Sequence, residues 1–317
     1  MQDLKYQLLK TPTQPNGRVR GRYAPSPSGV QHLGNIQTAI VAWLQVRLAG
    51  GEFILRMDDI DTPRVKTGSA EQMLDDLRWL GIDWDCITAS SYQPSSNGVY
   101  YQAQQQSSYL AAFDRLDKQS QLFACSCSRR DIKRIVIKPS PAGHYVYPGT
   151  CRPNQGVYNE TAKNRAWRFK VSDKKTHFKD LLLGNQTQNV ATEMGDFIVK
   201  RRDGIFAYQL ASVVDDIQLG ITDVVRGADL LESTPAQIDL FECLGAPVPR
   251  FWHLPLKLDA KGDKLSKRSG SVSLQMLRQQ GATAEQIIGQ LAWDLKLVEN
   301  ESPIRIQQLL KTLRVQQ

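Results

Sequence analysis

The chain has 317 residues, of which 41% are apolar, 23% charged and 8% aromatic, a composition with room for a sizeable core that excludes collagen, coiled coil and wholesale disorder. No run approaches the roughly 18 uncharged apolar residues of a membrane span, and MQDLKYQLLK carries no apolar signal core, so a cytoplasmic protein with no membrane partner is expected. Lys plus Arg number 40 against 32 acids, a formal charge of +8 that favours polyanionic partners.

Residues 1–18 are punctuated by TPTQPNG and read as an extension outside the fold. Residues 19–26 predict a strand that runs into the turn PSPSG. From Asn35 the apolar residues Ile36, Ala39, Ile40, Trp43, Leu44 and Leu48 recur at helical spacing until Ala49, Gly50 and Gly51 stop them. A second strand follows over 53–61, with carboxylates at its C-terminal end. This is a βαβ unit with a parallel sheet, the start of a Rossmann-type α/β fold. Helical patterns over 70–80 and 100–119 complete a first half of the domain, 19–120.

The character then changes. Three of the five cysteines, Cys125, Cys127 and Cys151, bracket a stretch containing Arg129, Arg130, Lys133, Arg134 and Lys138, and 121–195 reads as an inserted small subdomain. The basic run is either a solvated face or a contact for a phosphate backbone. A second half of the domain, 196–270, resumes after it, although a strand at 167–171 precedes that boundary. Its elements are a strand at 196–200, a turn at Arg201–Gly204, a helix from Phe206, a strand ending at Arg226, and a helix from Ser233 or Thr234 with Pro235 in its first turn. Residues 271–317 form a short helical segment divided by Gly281 and Pro303.

Three constellations carry chemistry. In the first, the turn Pro25–Asn35 joins a strand to a helix and brings Gly29, His32 and Gly34 together at a helix N-terminus. There, backbone N–H groups favour phosphate and an imidazole can donate to it, although HLGN alone is equally a helix cap. The second is the loop DAKGDKLSKRSGS with Lys264 and Lys267, cations suited to a departing pyrophosphate; taken alone it reads as a solvated basic loop. The third is Cys125-Ser-Cys127 with Cys151, three corners of a tetrahedral zinc site whose fourth ligand is Tyr147 or His144.

Taken in order, GRYAPSPSGVQHLGN, FILRMDDID, VVRGAD and KLSKR closely resemble the glutamyl branch of the class I aminoacyl-tRNA synthetases over residues 19–270. The resemblance implies ATP-dependent activation of L-glutamate as its adenylate. It places Arg22, Tyr23, Ala24, Pro25, Ser26, Asp58, Tyr208 and Arg226 at glutamate, and His32, Gly34, Asn35 and Lys267 at ATP with Mg2+. His32, Lys264 and Lys267 are then the catalytic set. Two carboxylates and an ammonium need at least two cationic donors and one acid, and either of Arg22 and Arg226 can meet either carboxylate. Where the branch usually has Glu this chain has Asp58, one methylene shorter, so a water or Asp59 could share its role. The pattern C-x-C with Y-x-x-x-C implies Tyr147 as the fourth ligand of one structural Zn2+.

Only 49 residues follow Arg268, fewer than an anticodon-binding region needs. With the cysteine pattern, this resembles the glutamyl-Q tRNA(Asp) synthetases, which activate glutamate without tRNA and attach it to queuosine at the wobble position of tRNA(Asp). A monomer is expected. The alternatives are a shortened glutamyl-tRNA synthetase charging the 3′ end of tRNA(Glu), a non-catalytic RNA-binding paralogue, and an unrelated nucleotidylyltransferase.

Overall fold

A computed structural model describes residues 3–10, 19–87, 95–136, 145–152, 164–256 and 273–317. Among the described residues ten strands form two sheets. The larger has seven strands, β1 (Arg20–Tyr23), β2 (Glu52–Met57), β3 (Tyr100–Tyr101), β6 (Lys175–Asp180), β7 (Gly184–Asn189), β9 (Asp223–Gly227) and β10 (Arg250–Leu254), in the order β3-β2-β1-β9-β10-β6-β7. Every neighbouring pair is parallel except the β6–β7 hairpin. The smaller sheet is antiparallel, with β5 (Ala166–Phe169) between β4 (Leu122–Cys125) and β8 (Phe197–Lys200).

The chain builds the larger sheet outward from β1 through β2 to β3, then returns to the other side of β1 with β9. That reversal is the switch point at which doubly wound folds open a ligand crevice beyond the strand C-termini. The helix Leu33–Leu48 crosses directly behind it and is apolar nearly all round, because it packs on β1, β2 and β9 and is covered by the helices Leu4–Leu9 and Ile306–Arg314. Its close approach needs Gly21 in β1, where a Cβ would lie 2.5 Å from Val46 Cγ2.

Three expectations change. Residues 3–10 are not outside the fold: they form a short helix capped by Asp3, with Leu4 and Leu8 buried in the main core. Residues 100–119 are not one helix, since Tyr100–Tyr101 pair with Arg56 and Met57 at the sheet edge and the helix is Gln106–Lys118. The inserted segment is shared between the sheets: β4 and β5 lie in the small one, while β6 and β7 extend the large one beside β10. The C-terminal helices Leu274–Gln279, Ala284–Asp294 and Ile306–Arg314 break where Gly281 and Pro303 fall. Among the described residues no helix is long and apolar enough to cross a membrane.

Burial of Leu8 predicts that Leu8→Ala lowers stability by about 2 kcal/mol through lost transfer energy and a residual cavity. Urea unfolding at unchanged m-value tests this, and a wild-type midpoint would return the segment to the status of an appendage.

Candidate active site and metal centre

At the C-terminal ends of β1, β2 and β9 lies a cleft of about 430 Å3. Arg22, Tyr23, Ala24, Pro25, Ser26, His32, Gly34, Asn35, Asp58, Tyr208 and Arg226 all line it, so residues up to 204 positions apart in the chain (226 minus 22) meet in one crevice. Lys264 and Lys267 lie outside the described residues, as does His144.

The floor of the cleft is ionic. Arg22 donates to Asp216 at 3.0 Å through Nε, and Arg56 donates to the same carboxylate at 2.7 Å through Nη1. Arg56 also grips Asp58 in a fork, at 2.7 and 3.3 Å, and stands 3.7 Å from Asp215. Asp215 takes hydrogen bonds from the Tyr100 and Tyr109 hydroxyls and from Gln102. Two guanidinium groups thus face three carboxylates in a region where Arg22, Arg56, Asp215 and Asp216 are all nearly inaccessible. The surplus negative charge costs free energy there. Burial, opposed by Arg56 and reinforced by Asp58, pushes Asp215 up to about 7. Burial likewise raises Asp58 even though Arg56 opposes it. Asp59 turns its carboxylate to the Ala103 amide at 2.8 Å and does not line the cleft, whereas Asp58 does, as does Asp229 on the opposite side.

Across the cleft the balance is reversed. Arg226 is 4% exposed and donates to His253 Nε2 at 3.0 Å, Gln237 Oε1 at 2.6 Å and Thr234 Oγ1 at 2.7 Å, all uncharged groups. Among the described residues it has no carboxylate within ion-pair distance. Burial lowers its pKa, a measure of how poorly the charge is solvated. The cleft therefore has an anion-rich pole at Asp58 and a cationic pole at Arg226, with Tyr208 at the start of the helix Tyr208–Gln218 beside them. Such a pair of poles suits a zwitterionic amino acid with a further carboxylate. Tyr23 is committed inward, where its hydroxyl accepts from Gln31 at 2.6 Å and burial raises its pKa. Next to this pocket, His32 caps the helix Leu33–Leu48, with its backbone N–H held by Asn35 Oδ1 at 3.2 Å. Gly34 and Asn35 in the first turn also line the cleft, which places a helix N-terminus there, a setting that favours phosphate.

The second cluster lies beside the small sheet, at the end of β4. Sγ atoms of Cys125, Cys127 and Cys151 fall within 4.8 Å of one another, with 3.6 Å between Cys127 and Cys151. The Tyr147 hydroxyl is 3.6 Å from Cys125 Sγ and accepts from the Cys151 amide at 2.7 Å. The Tyr147 ring is fixed by stacking on Phe123 and by the Arg168 guanidinium 3.9 Å away. Burial raises the Cys127 thiol to about 11. It would also raise Cys151, but hydrogen bonds from the Ser126 amide, Tyr147 and Cys127 outweigh it and bring that thiol down to about 6. Three sulfurs at this spacing form a donor set that fits a thiophilic cation.

The family described as tRNA synthetases class I (E and Q), catalytic domain, matches residues 18–301. Proteins named glutamyl-Q tRNA(Asp) synthetase from Symbiobacterium thermophilum and Synechococcus sp. are 44% and 42% identical to this chain, covering 92% and 95% of it and 90% and 91% of their own lengths. The chain belongs to that synthetase family. A solved glutamate tRNA ligase from Elizabethkingia meningosepticum, in complex with its amino acid, superposes with a TM-score of 0.75 at 27% identity over 93% of this chain. This chain spans 64% of that ligase's length. A methionyl-tRNA synthetase from Mycobacterium tuberculosis, with a TM-score of 0.53 at 11% identity, shares the fold alone.

For a member of the glutamyl-Q family, the sequence motifs identify the rim of the cleft and miss its floor. Arg56, Asp215, Asp216 and His253 were not singled out. A signal was present in the consecutive acids Asp215 and Asp216, which end an otherwise apolar helical run, and in Arg56 within an apolar strand. Charges at such positions are tolerated only when paired.

Asp216 is the ion-pair partner of the buried Arg22, whereas Arg56 keeps Asp58 and Asp215, so Asp216→Asn should cost about 3 kcal/mol by leaving Arg22 buried without its carboxylate. Chemical denaturation measures this; a loss below about 1 kcal/mol, the range of exposed pairs, would show that the cluster is solvated and not a buried unit.

Proposed function

We propose that the chain activates L-glutamate with ATP in the absence of tRNA and then transfers the glutamyl group to the queuosine base at the wobble position of tRNA(Asp). The observation that carries this reading is the two-pole cleft at the sheet's switch point, with a buried Arg226 whose partners are all uncharged, in a chain so similar to the glutamyl-Q family. A substrate carboxylate supplies the counter-charge that Arg226 lacks, the ammonium faces Asp58, and Tyr208 completes the pocket. Arg22 shapes the pocket from its ion pair with Asp216 and adds positive potential.

Activation joins a carboxylate oxygen of glutamate to the α-phosphorus of ATP and releases pyrophosphate. His32 and Gly34 stand where the phosphates of a nucleotide would approach the helix N-terminus, with Asn35 beside them, and charge developing on the α-phosphoryl oxygens is stabilised there. From their sequence motif, Lys264 and Lys267 neutralise the departing pyrophosphate, and Mg2+ accompanies the nucleotide. In the second step a hydroxyl of the queuosine cyclopentenediol attacks the mixed anhydride's carbonyl carbon and AMP leaves. Positioning outweighs strong base catalysis in such a step.

In the metal centre, Cys125, Cys127, Cys151 and Tyr147 would hold one Zn2+. Four protein ligands leave no open position, so the ion's role is to pin the small sheet.

Two measurements test these assignments. Purified protein with ATP and radiolabelled glutamate should label bulk tRNA from queuosine-making cells and leave queuosine-free tRNA blank. Equal labelling of both pools would make it a shortened glutamyl-tRNA synthetase. Pyrophosphate exchange into ATP should require glutamate alone. For the metal, Cys125→Ser should contain less zinc and melt lower than wild type, and a full complement of zinc in the folded variant would remove Cys125 from the ligand set.

A further inference from the structure

The partners of Arg226 form an ordered chain running away from the cleft. Residues 226 and 253 are direct neighbours across β9 and β10. Arg226 Nε carries a hydrogen and donates to His253 Nε2, so that nitrogen must present its lone pair. The imidazole proton is then on Nδ1, which meets Asp180 Oδ2 at 2.6 Å. Asp180 ends β6 and also accepts from the amides of Leu182 and Leu183 at 2.9 and 2.8 Å and from the His253 amide at 3.2 Å. A carboxylate taking this many donors is held ionised, and Asp180 lies below the usual carboxylate range because hydrogen bonds from His253 and Leu183 outweigh its burial. Asp180 and His253 are fully buried, so no water competes for these positions.

The consequence for Arg226 is a count of donors. A guanidinium has five N–H groups. One is taken by His253, one by Gln237 and one by Thr234, and the Tyr208 hydroxyl at the mouth of the cleft competes for what the terminal nitrogens have left. An N–H of the terminal nitrogens not taken by these acceptors can meet a carboxylate oxygen in a charge-assisted hydrogen bond. Were Nε2 of His253 protonated, it would oppose the Nε–H of Arg226 and the fork would turn. Were His253 an acid, the protein itself would already neutralise Arg226. An uncharged acceptor locked in one tautomer fixes the fork and preserves its charge.

We infer that His253, held by Asp180, is a positioning residue of the glutamate pocket that orients Arg226 as a receptor for a substrate carboxylate. This rests on the activation of glutamate proposed above and adds to it a dedicated chain, Asp180–His253–Arg226, in which the innermost member comes from the inserted segment. Asp180 does not touch substrate, yet through it the docking of β6 on β10 is coupled to recognition at the strand ends.

The test uses the full chain and compares two amides that differ by one methylene. His253→Asn is too short to reach Arg226, whereas His253→Gln can place its carbonyl oxygen near the former Nε2. In glutamate-dependent pyrophosphate exchange, His253→Asn should raise the KM for glutamate by about 10-fold or more, the scale of one lost hydrogen bond to a charged group. The KM for ATP should stay near wild type, and His253→Gln should recover most of the loss. An unchanged KM for glutamate, or equal losses in both variants, overturns the assignment, because a merely structural role would lower the melting temperature of both without separating the two KM values. If neither variant folds, 15N spectra of the wild-type histidines decide: a buried neutral imidazole with Nδ1–H is expected, and protonated Nε2 overturns the chain. Absence of glutamate-dependent exchange in the wild type would instead defeat the activation reading itself.

Discussion

The carboxylate of Asp216 is the constraint on which the rest of the site depends. It is buried on the helix Tyr208–Gln218 and meets Arg22 from β1 and Arg56 from β2, so two strands and a helix converge on one ion. In a low-dielectric interior each of these charges is tolerable only with the others present. The positions of the first strand, its neighbour and the returning helix are therefore fixed together, and the crevice beyond the strand ends acquires its shape from a charge requirement as much as from apolar packing. Apolar packing supplies the frame: the helix Leu33–Leu48, covered on both sides, holds β1 from behind, and Gly21 lets it approach.

That frame was legible in the sequence because its signals are local. The periodicity from Ile36 to Leu48, the glycines that stop it and the apolar run of β2 each specify an element without reference to the rest of the chain. What was not legible depends on distant partners. The helix Leu4–Leu9 buries only two leucines, too few to establish a period. The hairpin β6–β7, KTHFKD and GNQTQN, is polar enough to read as loop, and becomes strand because β10 offers it a free edge. In the site, the motifs pointed to Arg22, Asp58, Tyr208 and Arg226. No motif distinguished Arg22, which the structure shows already paired, from Arg226, which it does not. Sequence position alone cannot separate a cation that completes an ion pair from one that awaits a ligand.

This difference between the two arginines bears on how the site works before substrate arrives. A pocket whose charged groups relied on the ligand for all their hydrogen bonds would have to be ordered at the moment of binding, and that ordering would subtract from affinity. Here Arg22, Arg56, Asp58 and Asp216 satisfy one another, and Arg226 is held on three uncharged acceptors. Only the exchange of solvent for substrate at Arg226 and Asp58 is left to binding. These side chains come from β1, β2, β9 and β10 and from a helix packed on them, elements more rigid than loops. A pocket assembled in this way needs no second macromolecule to bring its polar groups into register. This agrees with the proposed activation of an amino acid ahead of RNA binding, a reading in which recognition of the acceptor falls to surfaces outside the amino acid pocket.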